Sequence, residues 1–215
     1  GLAMLERALA AGVLSGWVTA DEAYGQNPTF RSWLVDRAVP FVLATRSDDL
    51  LACPDGRRHE AKALAALADP DSWERRSAGD GAHGERIYDW TVLTLAPAGL
   101  PAGWGHWLLV RRQIPSQINP ASGKDPELAF YRCAGPATTP VPELIRVAGA
   151  RWTIEECFQT AKNEAGLDQY QVRDYRAWYA HITLAMLAAA YLAVTRAREA
   201  EKGDLQPAPT LTAMV

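Results

Sequence analysis

Residues 151 to 162 read RWTIEECFQTAK. In a helix, at about 100° per residue, Arg151, Glu155 and Lys162 fall inside an arc of roughly 40°. Leu144, Ala148 and Phe158 share that sector, and Trp152 lies on its flank. A buried carboxylate on an apolar stripe is costly unless it is paired, hydrogen-bonded or bound to a metal. Glu155 is therefore either one rung of a structural ladder with Arg151, or a group held for chemistry. If exposed, the ladder pair is worth only about a few tenths of a kcal/mol. Glu156 lies about 100° around the helix and need not share its neighbour's role.

A second carboxylate, Asp21, ends the short apolar run GWVTAD. Ligand sites in open α/β sheets lie at the carboxyl ends of strands, so an acid there can serve as metal ligand or general base. An Asp after a strand is also a common turn former, and position alone does not separate the two. Other chemistries lack their residues. Gly103 and Gly105 in GWGHW precede no helix, so a dinucleotide loop fails its context test. Ser116 and Ser122 have no neighbouring His and no GxSxG frame. Cys53, Cys133 and Cys157 are widely spaced and odd in number, which argues against a disulfide framework and for a reducing cytosol. His59, His83, His106 and His181 are equally scattered and read as non-ligands.

These carboxylates need a scaffold. Leu2 to Ala11 reads as a helix stopped by Gly12, and GWVTAD as a strand. A helix capped by Asn27 or the Thr29 region follows, running to about Arg37, and then FVLATR reads as a second buried strand. Helix and strand alternate through residue 46, as in an α/β sheet with parallel strands. Residues 47 to 86 are polar or Ala-rich, with DPDSWERRSAGDGAHG as a loop. RIYDWTVLTLA, GHWLLVRRQI and ELAFYRCAG, separated by Gly/Pro-rich turns, predict an antiparallel meander apart from the α/β sheet. The helical period returns at Thr139, a candidate cap, and runs to Gly166, with a possible bend at Gly149. A last helix covers about 178 to 199. Its apolar run from Ile182 to Val194 is shorter than the roughly 20 residues of a membrane span and reads as a buried core helix.

Composition fits one or two globular domains: 215 residues, 48% hydrophobic and 22% charged. A net charge of −3 excludes a uniformly basic nucleic-acid binder but leaves room for a local basic face. The helical start without a cap and the tail GDLQPAPTLTAMV are what a domain cut from a longer protein, or an interrupted gene, would show.

ADEAYG, followed far downstream by RWTIEECFQTAK, resembles the DDE transposases of bacterial insertion sequences. Their signature Tyr-x2-Arg-x3-Glu-x6-Lys is matched by Arg151, Glu155 and Lys162, while Ala148 occupies the Tyr position. GLDQYQVR and the His181-containing last helix extend the likeness over nearly the whole chain. The resemblance implies an α/β, ribonuclease-H-like (retroviral-integrase-like) fold with an inserted antiparallel β subdomain. Its parts would be a partial core at 1–46, a β-rich insertion at 47–138, core helices at 139–200 and a disordered tail at 201–215. It also implies two Mg²⁺ (or Mn²⁺) ions held by an Asp, Asp and Glu triad, with Asp21 as the second Asp and Glu155 as the Glu. The first Asp would belong to a strand ahead of the first helix, where this chain has no residue, so the chain alone is expected to be inactive.

The implied reaction starts with attack by water on the phosphodiester at the transposon end, and the freed 3′-OH is the next nucleophile. Paired metals would stabilise the attacking and leaving oxygens. Arg151, Lys162 and Arg173 are expected to contact DNA, as are Arg111 and Arg112, read here on a turn of the insertion. Lys124 shares that turn, and for all three a solvated loop is the alternative reading. The expected partners are transposon ends and target DNA, with a dimer in the complex and no membrane, in the bacterial cytoplasm near the nucleoid. Two rivals remain: an inactive remnant that binds DNA without cleaving it, and an unrelated hydrolase using Asp21 and Glu155 as a metal-independent acid/base pair.

Overall fold

The computed structural model describes residues 2–13, 16–81, 84–97, 99–115, 123 and 125–203. His83, Ser116, Ser122 and Lys124 lie outside the described residues. The chain divides into two compact units, Gly1–Arg151 and Trp152–Val215.

In the first unit, helix α1 (Leu2–Ala10) ends before Gly12, whose φ of 75° suits a helix C-terminus. Strand β1 (Val18–Ala20) leads into the short helix α2 (Glu22–Gly25). Helix α3 (Pro28–Asp36) starts on Asn27, whose side chain accepts from the Phe30 amide at 3.1 Å, with Pro28 in the first turn. Strand β2 (Phe41–Thr45) then pairs with β1 in parallel, the pairing that alternating elements predict.

The meander does not stand apart from this pair. Strands β5 (Glu74–Gly81), β6 (Gly84–Thr94), β7 (Trp104–Arg112) and β8 (Leu128–Pro136) join β1 and β2 in one six-stranded sheet, ordered β1-β2-β8-β7-β6-β5. The expectation of a separate sheet is corrected by β8, which pairs antiparallel with β2 from Phe41↔Ala134 to Thr45↔Phe130. Phe130, Tyr131, Cys133 and Ala134 are all buried, so β8 is covered on both faces and needs a neighbour on each side. The stretch read as a loop before Gly84 is largely β5. It is an edge strand with a register shift between Ser77 and Asp80, and its charges suit an edge. Residues 47–72 hold a small hairpin, β3 (Leu50–Ala52) with β4 (Arg58–Glu60), and helix α4 (Ala61–Ala66).

Direct cross-strand partners share a face of the sheet. One face carries Val42, Leu109, Tyr131 and Cys133, packed with Trp90 and the first turns of helix α5 (Val141–Ala165) through Leu144, Ile145, Val147 and Ala148. The other carries Phe41, Leu43 and Ala134 under α3, with Leu2 and Leu5 of α1, and Leu108, Val110 and Phe130 under α4 and the hairpin. Gly149 does not break α5. A Cβ there would run into the Ala78 carbonyl oxygen, so Gly149 permits the close approach of α5 to β5. The Arg86 guanidinium donates to the Ala78 and Gly149 carbonyls and ties the two together. Thr139 is not a cap; its hydroxyl donates to the Pro136 carbonyl.

The second unit holds the end of α5 and helix α6 (Tyr175–Gly203), so 201–203 are helical and 204–215 lie outside the described residues. Asp174 caps α6, accepting from the Ala177 amide at 3.0 Å. Tyr170 meets Trp178 edge-on, His181 bonds the Gly166 carbonyl, and Arg196 pairs with Glu164. The buried-core reading of α6 is corrected: Tyr179, Leu184, Met186, Leu187, Tyr191 and Val194 are exposed. The stretch Tyr175–Glu199 is long and apolar enough, by length and composition, to cross a membrane.

Candidate active site

Asp21 follows the last residue of β1, at the carboxyl end of the parallel β1–β2 pair. It is exposed, and it caps α2 by accepting from the Tyr24 amide through Oδ1 at 3.3 Å. The turn-former and ligand readings are thus compatible, since a carboxylate has a second oxygen and spare lone pairs. Gly25 closes the ADEAYG motif for steric reasons. A Cβ on it would meet the Ala44 carbonyl oxygen of β2, so only glycine lets α2 lie against the sheet beside Asp21. Arg31 clamps the same turn by donating to the Gly25 carbonyl. Gly25→Ala is expected to cost about 3 kcal/mol, at the severe end of overpacking. Urea unfolding checks this, and an unchanged midpoint would show that the α2 turn yields freely.

Beside this edge lies a cavity of about 370 Å³, lined by Glu22, Thr45, Arg111, Glu127, Tyr131 and Arg151 among others. Arg151 and Arg111 give it cationic groups. Burial raises the Tyr131 phenol above its usual range, and the two guanidinia oppose that rise. Glu22, next to Asp21, adds a carboxylate.

Arg111 and Arg112 end strand β7 and do not lie on a turn. The Arg111 guanidinium sits over the Tyr88 ring at 4.5 Å and pairs with Glu127 at 3.6 Å. Arg112 lies over Trp73 at 4.0 Å and reaches Asp89 at 3.5 Å. Asp89, buried on β6, is also held by Arg75 at 3.0 Å. Both Nε groups are buried without a hydrogen-bond partner among the described residues. The clue in the sequence is IYDW against LVRR: register sets Asp89 opposite Arg112 and Trp90 opposite Arg111, an opposite-charge cross-strand pair.

In the second unit, Glu155 and Lys162 are exposed on α5, and Arg173 is exposed in the connector. The apolar stripe splits: Leu144 and Ala148 are buried, whereas Phe158 is 53% exposed. The premise of a buried Glu155 is therefore corrected. An exposed carboxylate still suits a hard, oxygen-seeking cation. His59, read as a non-ligand, comes together with Cys53 and Asp55, their donor atoms within 4.8 Å of one another. Its thiol and imidazole suit a softer ion than Mg²⁺.

No curated protein matches this chain. The family model described as Transposase DDE domain matches residues 1–192, most of both units, and the chain belongs to that family.

Proposed function

We propose that the chain is the catalytic part of a bacterial insertion-sequence transposase, a ribonuclease-H-like enzyme that cleaves DNA and transfers strands. The observation that carries this is the family match over 1–192, within which Asp21 stands exposed at a parallel-strand terminus beside a cavity holding Arg111 and Arg151. Family membership implies DNA binding and transposition chemistry in general. The finer assignments are ours.

Asp21 and Glu155 would hold the divalent ions, two Mg²⁺ or Mn²⁺. Such ions supply Lewis-acid stabilisation of the oxygens at the phosphorus. The remaining work falls to the chain's own groups. Arg151, Lys162, Arg173 and Arg111 would bind backbone phosphates and fix the DNA's register. Arg112, which alternation turns to the other face of β7 where Asp89 and Trp73 engage it, would be a further phosphate contact. In this reading 1–46 and 139–200 form the core, and 47–138 is an insertion continuous with its sheet. α6 is a helix of the transposase domain, most of it inside the family match, in a cytoplasmic, nucleoid-bound dimer.

The experiment is nicking of a supercoiled plasmid carrying the sequences that flank the gene, by this chain extended upstream through the strand expected to supply the first Asp, with the 215-residue chain, expected not to nick, as the comparison. Nicking with Mg²⁺ or Mn²⁺ and none in EDTA is expected. Cleavage that survives EDTA would overturn the reading in favour of a metal-independent hydrolase. Duplex binding with no nicking under any metal would favour the remnant.

A further inference from the structure

Two cations that the proposed chemistry does not use meet between α3 and the sheet, Arg132 on β8 and Arg31 on α3. Arg132 stands opposite Leu43 on β2 and Leu108 on β7, so it shares their face, opposite to that of Tyr131 and Arg111. Apolar packing on this face falls into two clusters, one around Phe30, Leu34 and Leu43 and one around Leu51, Leu108 and Phe130. Arg132 and His106 interrupt them. The Arg132 Nε–H donates to His106 Nε2 at 2.9 Å, and His106 Nδ1–H donates to the Ala96 carbonyl at 2.6 Å. That arrangement requires a neutral imidazole, so His106 orients the guanidinium without adding charge.

Arg31 reaches the same place from α3. It is held by its bond to the Gly25 carbonyl, and its remaining donors have no hydrogen-bond partner among the described residues. Neither guanidinium forms an ion pair with a carboxylate among the described residues. Asp49 is close enough to favour both charged forms, but its bonded partner is the Thr45 hydroxyl at 2.7 Å. Burial lowers the affinity of Arg132 for its proton, to a pKa of about 10, and the positive charges of Arg31 and Arg58 push the same way. Two half-buried cations in mutual repulsion are an unfavourable arrangement unless an anion completes it.

Space for that anion exists. A cavity of about 270 Å³ is lined by Arg31, Ser32, Asp36, His106 and Arg132, with Phe41 and Leu100 as apolar wall. Its charged lining is two guanidinia against the exposed Asp36 carboxylate, so it remains net positive. Planar guanidinium forks match the oxygens of a phosphate group, and a serine hydroxyl can donate a further bond.

We propose that this cavity is a phosphate-binding site in which Arg31 and Arg132 grip one tetrahedral oxyanion, on the sheet face opposite Arg111 and Tyr131. It does not depend on the catalytic assignment. The phosphate has two possible sources, a free ion such as pyrophosphate or a DNA phosphodiester.

Calorimetric titration of the 215-residue chain at low salt, with inorganic phosphate, pyrophosphate and a short DNA duplex in turn, separates them. Binding of at least one probe is expected, weakened tenfold or more in Arg132→Gln and in Arg31→Gln and less in Arg132→Lys. A loss confined to phosphate and pyrophosphate identifies a free ion; a loss extending to the duplex identifies the phosphodiester. Wild-type hydrogen exchange adds a readout independent of any variant: the probe that binds should slow exchange in 28–36 and 99–106. The proposal is overturned if no probe binds, if both Gln variants bind as wild type, or if protection falls only elsewhere.

Discussion

In the chain extended upstream through the strand expected to supply the first Asp, Asp21→Asn and Glu155→Gln are each expected to lower Mg²⁺-dependent nicking by about 1000-fold. Mg²⁺ favours anionic oxygen donors, and an amide keeps the shape of the carboxylate while removing its charge. Lewis-acid stabilisation at phosphorus is worth several kcal/mol, and about 4 kcal/mol corresponds to ~1000-fold in rate. Asn and Asp cap helices about equally well. Asp21→Asn therefore preserves the bond from the Tyr24 amide and the α2 turn, and a loss of nicking cannot be attributed to the cap. Glu156→Gln, one residue further along α5, is the matched control and should nick like wild type. Mn²⁺ affinity measured by electron paramagnetic resonance gives a second readout that does not require turnover, and both carboxylate variants should weaken it. If Asp21→Asn and Glu155→Gln bind Mn²⁺ and nick as wild type, the ligand assignment is wrong and Glu22, which lines the neighbouring cavity, becomes the next candidate.

What could be read from the chain alone follows the strength of local signals. The first two strands and α3 were legible because capping and apolar runs agree there: Asn27 and Pro28 open α3, and FVLAT is almost wholly buried. Asp21 was legible as a strand-terminal acid. The placement of the meander was not, since whether β8 pairs with β2 depends on a contact between residues some 90 positions apart. β5 was missed because ERRSAGDG has no apolar alternation and pairs on one side only. Glu155 was read as buried because helical phase reports which residues share a face. It does not report where along a helix that face stops being covered. Leu144 and Ala148 lie beneath the sheet, whereas Phe158, in the same phase, is largely exposed. The Arg132–His106 pair was invisible for a similar reason, as two isolated polar residues on neighbouring apolar strands carry no spacing pattern.

His106 should make the fold acid-sensitive over a defined window. It is 6% exposed, and its pKa is lowered to about 4, chiefly by burial and further by the charges of Arg132 and Arg31, while the Ala96 carbonyl bond opposes the shift. An unfolded histidine titrates near 6.5. Above that value both states are neutral, and the folded state keeps its full advantage. Between about 6.5 and 4 the unfolded chain takes up a proton that the folded chain refuses, so stability falls as pH falls. Below about 4 both states are charged and the loss stops. At 1.36 kcal/mol per unit the total is about 3 kcal/mol, little screened by solvent at this burial. His106→Gln retains an acceptor for Arg132 and a donor for the Ala96 carbonyl without a titrating group. Urea unfolding at pH 7 and pH 4.5 should show wild type losing between 2 and 3 kcal/mol more than the variant, roughly two units' worth of the shift. Equal losses in the two proteins would mean that folded His106 takes up its proton as readily as the unfolded chain does, and that its bond from Arg132 does not hold the neutral form.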